Sequence, residues 1–156
     1  MLKTRAVTVA DAALITAHRE SMLIALGRGT ESILAVARRN HEPWITRMIA
    51  GDRYAGWITC DGDRPVASAG LLILDWPPTV LDPEGELRGY LLNVFVEPEY
   101  RRRGLARALV NLCLAEARRR RIGVVALHCN DAIEPFYESL GFRRSHEMQR
   151  VEASGE

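Results

Sequence analysis

"EPEYRRRGLARAL", Glu97 to Leu109, sets Arg101, Arg102 and Arg103 against Gly104 at the start of an apolar run. Just before it, "YLLNVFVEP" (Tyr90–Pro98) is rich in β-formers and ends at a proline. Strand, turn and helix follow in that order, the helix spanning about Arg103 to Arg121. Such a turn points the helix's unpaired N–H groups and positive dipole end towards solvent. Two readings of the triple arginine stand side by side. One is a solvated charge run; the other is a set of basic side chains and backbone N–H groups that hold an anion. Gly104 has no side chain and Ala106 only a methyl group, so a phosphate could approach the backbone closely. No GK[ST] follows and GxGxxG is absent, which excludes a P-loop and a Rossmann turn.

The rest of the chain can be read outward from this unit. "LKTRAVT" is a short first strand, and Thr8 or Asp11 can cap a helix that runs to about Leu26. "GRGT" breaks that helix, and Thr30–Glu31 opens a second one towards Gly51, with Pro43 a candidate interruption. "YAGWITCDGDRPVASAGLLIL" predicts a hairpin turning at Asp61–Gly62. "DWPPTVLDPEGELRG" reads as an exposed loop. "VVALHCN" predicts a fifth strand and "AIEPFYESL" a fourth helix, stopped by Gly141. Arg143 to about Arg150 is expected to form a last strand, with "EASGE" frayed. The order β-α-α-β-β-β-α-β-α-β describes one α/β domain over residues 1–156, with helices on both faces of a mixed sheet.

Composition narrows the function. The chain has 156 residues, of which 47% are hydrophobic and 26% charged, as in ordinary globular domains. A net charge of +1 argues against a general nucleic-acid binder. Only Lys3 among the 21 basic residues is lysine. Cys60, Cys113 and Cys129 show no CxxC spacing and read as reduced, buried thiols. The four histidines form no metal-ligand pattern, so no metal is expected. No stretch has the length of a membrane span or the pattern of a signal peptide, so a cytoplasmic protein is expected, with neither membrane nor nucleic-acid partners.

The stretch "V-x-P-x-Y-R-R-R-G-L-A-R-A-L" resembles the acyl-CoA pyrophosphate loop of the GCN5-related N-acetyltransferases, the GNAT family, whose signature is Q/R-x-x-G-x-G/A. Arg101, Gly104 and Ala106 fill the three positions. "NDAIEPFYESLGF" (Asn130–Phe142) resembles the family's N-x-x-A-x-x-x-Y-E-x-x-G-F helix, matching at Asn130, Tyr137, Glu138, Gly141 and Phe142. Ile133 stands where the family usually has alanine, and tighter packing near the pantetheine arm is expected from it. The resemblance is specific from Leu91 to Phe142 and extends at fold level from about Lys3 to Arg150. It implies the GNAT fold, a mixed twisted sheet of about six to seven strands with helices on both faces. Homodimers, common in that family, are carried over as an expectation.

The resemblance also implies roles. Backbone groups of Val94, Phe95 and Val96, at a splayed strand end, would meet the pantetheine amides and the thioester carbonyl. The N–H groups from Arg102 through Gly104, Leu105 and Ala106 to Arg107 would hold the pyrophosphate, with side-chain charge from Arg101, Arg102 and Arg103 nearby. Asn130, at the end of strand five, would bond the pantetheine. Tyr137 would present its phenol to the sulfur. Acetyl-CoA is then the acyl donor, and a small-molecule or peptide amine the acceptor. The activity so implied is acetyl transfer to a primary amine by direct attack in a ternary complex.

Other residues read more plainly. Arg118 to Arg121 suit the helix C-terminus, where cations favour the dipole. His128, Cys113 and Cys129 read as packing residues, and Asn93 is left open between satisfying backbone and touching the acceptor. No glutamate lies inside strand four, where some family members place a base, so no base is named. Asp75, Asp82, Glu84 and Glu86 could attract a cationic amine or simply keep the loop soluble. A non-catalytic acyl-CoA-binding module is the main rival, and would bind the donor without releasing thiol. An RNA-associated protein is a weaker one, because the eight arginines between Arg101 and Arg121 lack interleaved aromatics.

Overall fold

The computed structural model describes residues 1–152. Strand β1 (Leu2–Ala6) leads into helix α1 (Ala12–Ala25). Asp11 organises this entry: its carboxylate accepts the Thr8 N–H at 2.8 Å and two Arg5 guanidinium N–H groups at 2.8 Å each. The Arg5 bond holds the Asp11 carboxyl below the usual carboxylate range. Helix α2 (Glu31–Ala50) starts at Thr30, as its side-chain oxygen suggests. Pro43 does not interrupt it. Proline removes one helical hydrogen bond, but Trp44, Ile45, Met48 and Ile49 just beyond it are packed into the core.

Strands β2 (Tyr54–Asp61) and β3 (Arg64–Asp75) form the expected hairpin. Its loop is Gly62–Asp63, one residue later than read, because Asp61 pairs with Arg64. Strand β4 (Leu87–Val96), helix α3 (Leu105–Arg119), strand β5 (Val125–Ala126) and helix α4 (Glu134–Glu138) complete the order. The sheet runs β1-β2-β3-β4-β5, antiparallel except for the β4–β5 pair. Alternation along β4 explains the layering. Leu91 joins the cluster under α3, while its neighbour Leu92 packs with α1 and α2. Helices therefore cover both faces.

Two expectations are corrected. Among the described residues the sheet has five strands, not six or seven, since Arg143–Arg150 forms no strand. That segment is charged and exposed, and ion pairs tether it instead: Arg144 to Asp131 and Glu134, and Glu147 to Arg88. Strand five is also shorter than "VVALHCN", ending at Ala126. Residues 153–156, the frayed end of the sequence reading, lie outside the described residues.

The core between α1, α2 and the sheet holds several buried polar groups, Thr16, His18, Ser68 and Asn93 among them. The Tyr54 hydroxyl occupies the place where a side chain on residue 70 would sit, so only glycine fits there. His18 Nδ1 lies 2.8 Å from Ser68 Oγ, and His41 Nδ1 lies 2.7 Å from Thr16 Oγ1. Burial pushes both imidazoles down to about 4, with the Arg19 charge adding to the effect at His41. Both rings stay neutral in the folded chain while the unfolded chain protonates them below about 6.5. Their stabilisation is complete above that pH and is lost as pH falls towards 4. At about 1.4 kcal/mol per pH unit, His18 alone accounts for about 3 kcal/mol. Denaturant unfolding at pH 7 and pH 4.5 is expected to show this loss, and His18→Gln to flatten it. Equal stability at both pH values would contradict the burial argument.

Candidate active site

β4 and β5 pair only at Gly89–Val125 and Tyr90–Ala126, then part. From Leu91 onward that side of β4 has no neighbouring strand among the described residues. A bulge changes which groups face the gap. Ser68 pairs with Phe95 and Gly70 with Leu92, so Ala69 stands opposite both Asn93 and Val94. Asn93 takes the extra position with φ +56°. Beyond the bulge, Glu97 donates its N–H to Val66 O at 2.8 Å, which fixes the phase of the ladder. Phe95 therefore turns its N–H and C=O to β3, and Val94 and Val96 turn theirs to the gap. The three residues named from sequence thus divide. The Val96 carbonyl already accepts the Arg101 Nε–H at 3.1 Å, which leaves the Val94 groups and the Val96 N–H.

The turn after β4 brings the basic residues to the same end. Arg102 and Gly104 have φ of +61° and +79°, and Gly104 caps α3 in the left-handed conformation that glycine tolerates best. No acceptor within the described residues takes the N–H groups of residues 102 to 107. These are the free donors of a helix start plus two from the turn. Of the side chains, Arg103 donates to Glu99 O at 3.0 Å and lies over the Tyr100 ring. Arg107 donates to Ser139 Oγ at 2.7 Å, tying α3 to α4. Arg101, Arg102 and Arg103 are all exposed.

Asn130 lies four residues past β5 rather than at its end. It is exposed, and its Oδ1 accepts the Ile133 N–H at 3.1 Å, which shapes the entry to α4. Ile133 is itself 45% exposed. Tyr137 is buried, its ring edge-on to Phe136 at 5.0 Å and to Phe142 at 5.8 Å. Among the described residues its hydroxyl has no hydrogen-bond partner, yet it is not one of the sealed, unpartnered side-chain atoms there, which are His41 Nε2 and Arg88 Nε. Burial pushes the phenol up to about 12, so it is a protonated donor at neutral pH. Cys129 is exposed, not buried as read. In the acidic loop, Asp75 pairs with Arg53 and Asp82 accepts the Gly123 N–H at 3.0 Å, so both have structural partners.

Asn93, left open in sequence, is fully buried: its Nδ2 contacts Tyr54 OH at 3.4 Å and its Oδ1 accepts from Arg19 at 3.0 Å. Sequence reading passed over Arg19. The available signal was its spacing, four residues after Ile15 and three before Met22, on the inward stripe of α1. Among the described residues no group of three His, Cys, Asp or Glu could hold a metal, and no helix is long and apolar enough to cross a membrane.

The far end of α3 is electrostatically occupied. Arg119 and Arg120 both pair with Glu116, and Arg120 also with Asp52. These arginines, Arg119 foremost, pull Glu116 down to about 2. Arg118 and Arg121 lie roughly 20 Å from Gly104 at 1.5 Å rise per residue, beyond a Debye length of about 8 Å. Neutralising these two with glutamine is expected to change CoA affinity less than twofold in a calorimetric titration. A tenfold loss would move the anion site.

The geometry is a strand–turn–helix unit with an open strand edge and free helix N–H groups side by side. The Acetyltransferase (GNAT) family matches residues 24–142. The chain belongs to this family, and its class of activity is acyl-CoA-dependent N-acetyl transfer. A GCN5-related N-acetyltransferase from Ralstonia eutropha is 32% identical and superposes with a TM-score of 0.93, covering 99% of this chain and 100% of its own. A predicted acetyltransferase from Clostridium acetobutylicum, solved with acetyl-CoA, gives a TM-score of 0.88 at 23% identity over 97% of this chain and 96% of its own. The ribosomal protein bS18 alanine N-acetyltransferase of Escherichia coli K12 is 29% identical over 118 residues, 70% of this chain and 72% of that protein.

Proposed function

We propose that this chain moves the acetyl group of acetyl-CoA to a primary amine by direct attack in a ternary complex. The observation that carries the reading is the set of unpartnered N–H groups at residues 102–107 beside the β4–β5 gap. The pyrophosphate would accept from those N–H groups, with Arg101, Arg102 and Arg103 adding positive charge. Each charge-assisted bond of this kind contributes about 1.5–3 kcal/mol. Pantetheine would lie along the gap against Val94 and Val96, with Asn130 beside it. Phe95 contributes its packed ring rather than its backbone.

The amine nitrogen attacks the thioester carbonyl carbon, and the carbonyl oxygen gains charge next to the Val94 N–H. The carbon–sulfur bond then breaks. The leaving sulfur takes a proton from Tyr137, the nitrogen gives its proton to water, and water returns a proton to the Tyr137 phenolate. The products are the amide and free CoA. The bS18 relative acts on an alanine of a ribosomal protein by its name, so a peptide amine belongs in the acceptor panel together with small amines.

A thiol-release assay with acetyl-CoA over that panel, with the acetylated amine weighed by mass spectrometry, tests the reading. Thiol and acetylated product in equal amounts are expected. Tight CoA binding with no thiol released from any amine would make the chain a binding module instead.

A further inference from the structure

Arginines in this chain are either paired or exposed, with one exception. Arg5, Arg38, Arg53, Arg64, Arg88, Arg119, Arg120, Arg144 and Arg150 each have a carboxylate within 4 Å. The remaining ones are exposed apart from Arg19. Arg19 is half-buried on α1, and among the described residues its only hydrogen bond is from Nη1 to the neutral Asn93 Oδ1 at 3.0 Å. No carboxylate among the described residues pairs with it; burial disfavours the charged form, and the nearby ionisable groups are Tyr54 and His41. A guanidinium stays charged in proteins, and an unpaired buried charge carries a large desolvation penalty. The remaining N–H groups of the fork have no acceptor among the described residues, and none is sealed from solvent.

The position gives this unused charge a use. Asn93 is the bulge residue of β4, and the next residue, Val94, faces the gap. An anion on Arg19 would lie one residue from the backbone assigned to the thioester. We propose that Arg19 is an acceptor-binding residue that takes an oxyanion, carboxylate or phosphate, carried by the amine substrate. The oxyanion would sit a few bonds from the reacting nitrogen, as in short amino acids and aminoalkyl phosphates. A guanidinium fork matches either group in bidentate fashion. This inference rests on the acetyl-transfer reading above.

The test compares β-alanine with β-alaninamide, and O-phosphoethanolamine with ethanolamine, in the thiol-release assay. Wild type is expected to prefer the anionic member of at least one pair by tenfold or more in kcat/KM. The pair that shows the preference tells carboxylate from phosphate. Arg19→Gln is expected to reduce that ratio to about one through KM, with Arg19→Lys intermediate and the thermal midpoint of Arg19→Gln unchanged or raised. Preference for the neutral amines would overturn the proposal. So would equal losses on all amines with a lowered midpoint, because Arg19 would then only brace the bulge. If no amine releases thiol, the acetyl-transfer reading fails by itself, and calorimetry on CoA-saturated protein decides the anion site. Binding of β-alanine or O-phosphoethanolamine that weakens at least tenfold in Arg19→Gln upholds it. No binding, or binding indifferent to Arg19, overturns it.

Discussion

Tyr137→Phe is expected to slow turnover by about 10²–10⁴-fold, the range for loss of a positioned general acid. The substitution removes one hydroxyl that has no partner within the described residues. The edge-on contacts with Phe136 and Phe142 remain, so the thermal midpoint should move little. Acetyl-CoA affinity should also change little, because the loop N–H groups and the strand edge are untouched. A phenol held up at about 12 is fully protonated at working pH. It can therefore donate to the sulfur as the carbon–sulfur bond lengthens. A tyrosine that only packs would give normal turnover, and that outcome would assign protonation of the sulfur to water. Measuring turnover, midpoint and CoA affinity on one preparation separates the two.

Gly104→Asp is expected to weaken CoA binding by about 100-fold or more while the chain stays folded. Two effects act together. A carboxylate would sit at the start of α3, where open space surrounds the missing Cβ, and would repel the pyrophosphate from the same N–H groups. At φ +79° a side chain also strains the turn and shifts those donors. Gly104→Ala separates strain from charge: it should weaken binding far less than aspartate does. Two charge-assisted bonds lost at about 1.5–3 kcal/mol each are enough for the expected loss. Calorimetric titration on folded variants is the measurement, and unchanged affinity in Gly104→Asp would remove the pyrophosphate from this loop.

How much of this was legible in the sequence depended on the range of the interaction. Local rules placed the strand–turn–helix unit: β-formers up to Pro98, then glycine before a helix with apolar residues at helical spacing. Thr30 and the β2–β3 hairpin were legible for the same reason. The hairpin loop slipped by one residue because pairing of Asp61 with Arg64 is settled across strands. The missing last strand has a similar cause. "RRSHEMQR" has no alternating apolar face to bury; ion pairs to Arg88, Asp131 and Glu134 hold it.

The site divides along the same line. Tyr137, Asn130 and the loop arginines sit in contiguous motifs, so their resemblance to known patterns was visible. The bulge at Asn93 was not, since it arises from the register of β4 against β3, and it decides that Val94 and Val96, not Phe95, face the gap. Arg19 and Asn93 are 74 residues apart and meet only when α1 lies across β4. The polar core of Tyr54, His18 and His41 is of the same kind: each member looks ordinary until its partner is in place.

Amide hydrogen exchange with and without CoA tests most directly where the donor sits. Peptides covering residues 94–107 are expected to gain the strongest protection, because the free N–H groups of the turn and the open edge of β4 acquire acceptors. Protection confined to other segments, for example around Arg118–Arg121, with residues 94–107 unchanged, would contradict the acyl-CoA site described for this chain.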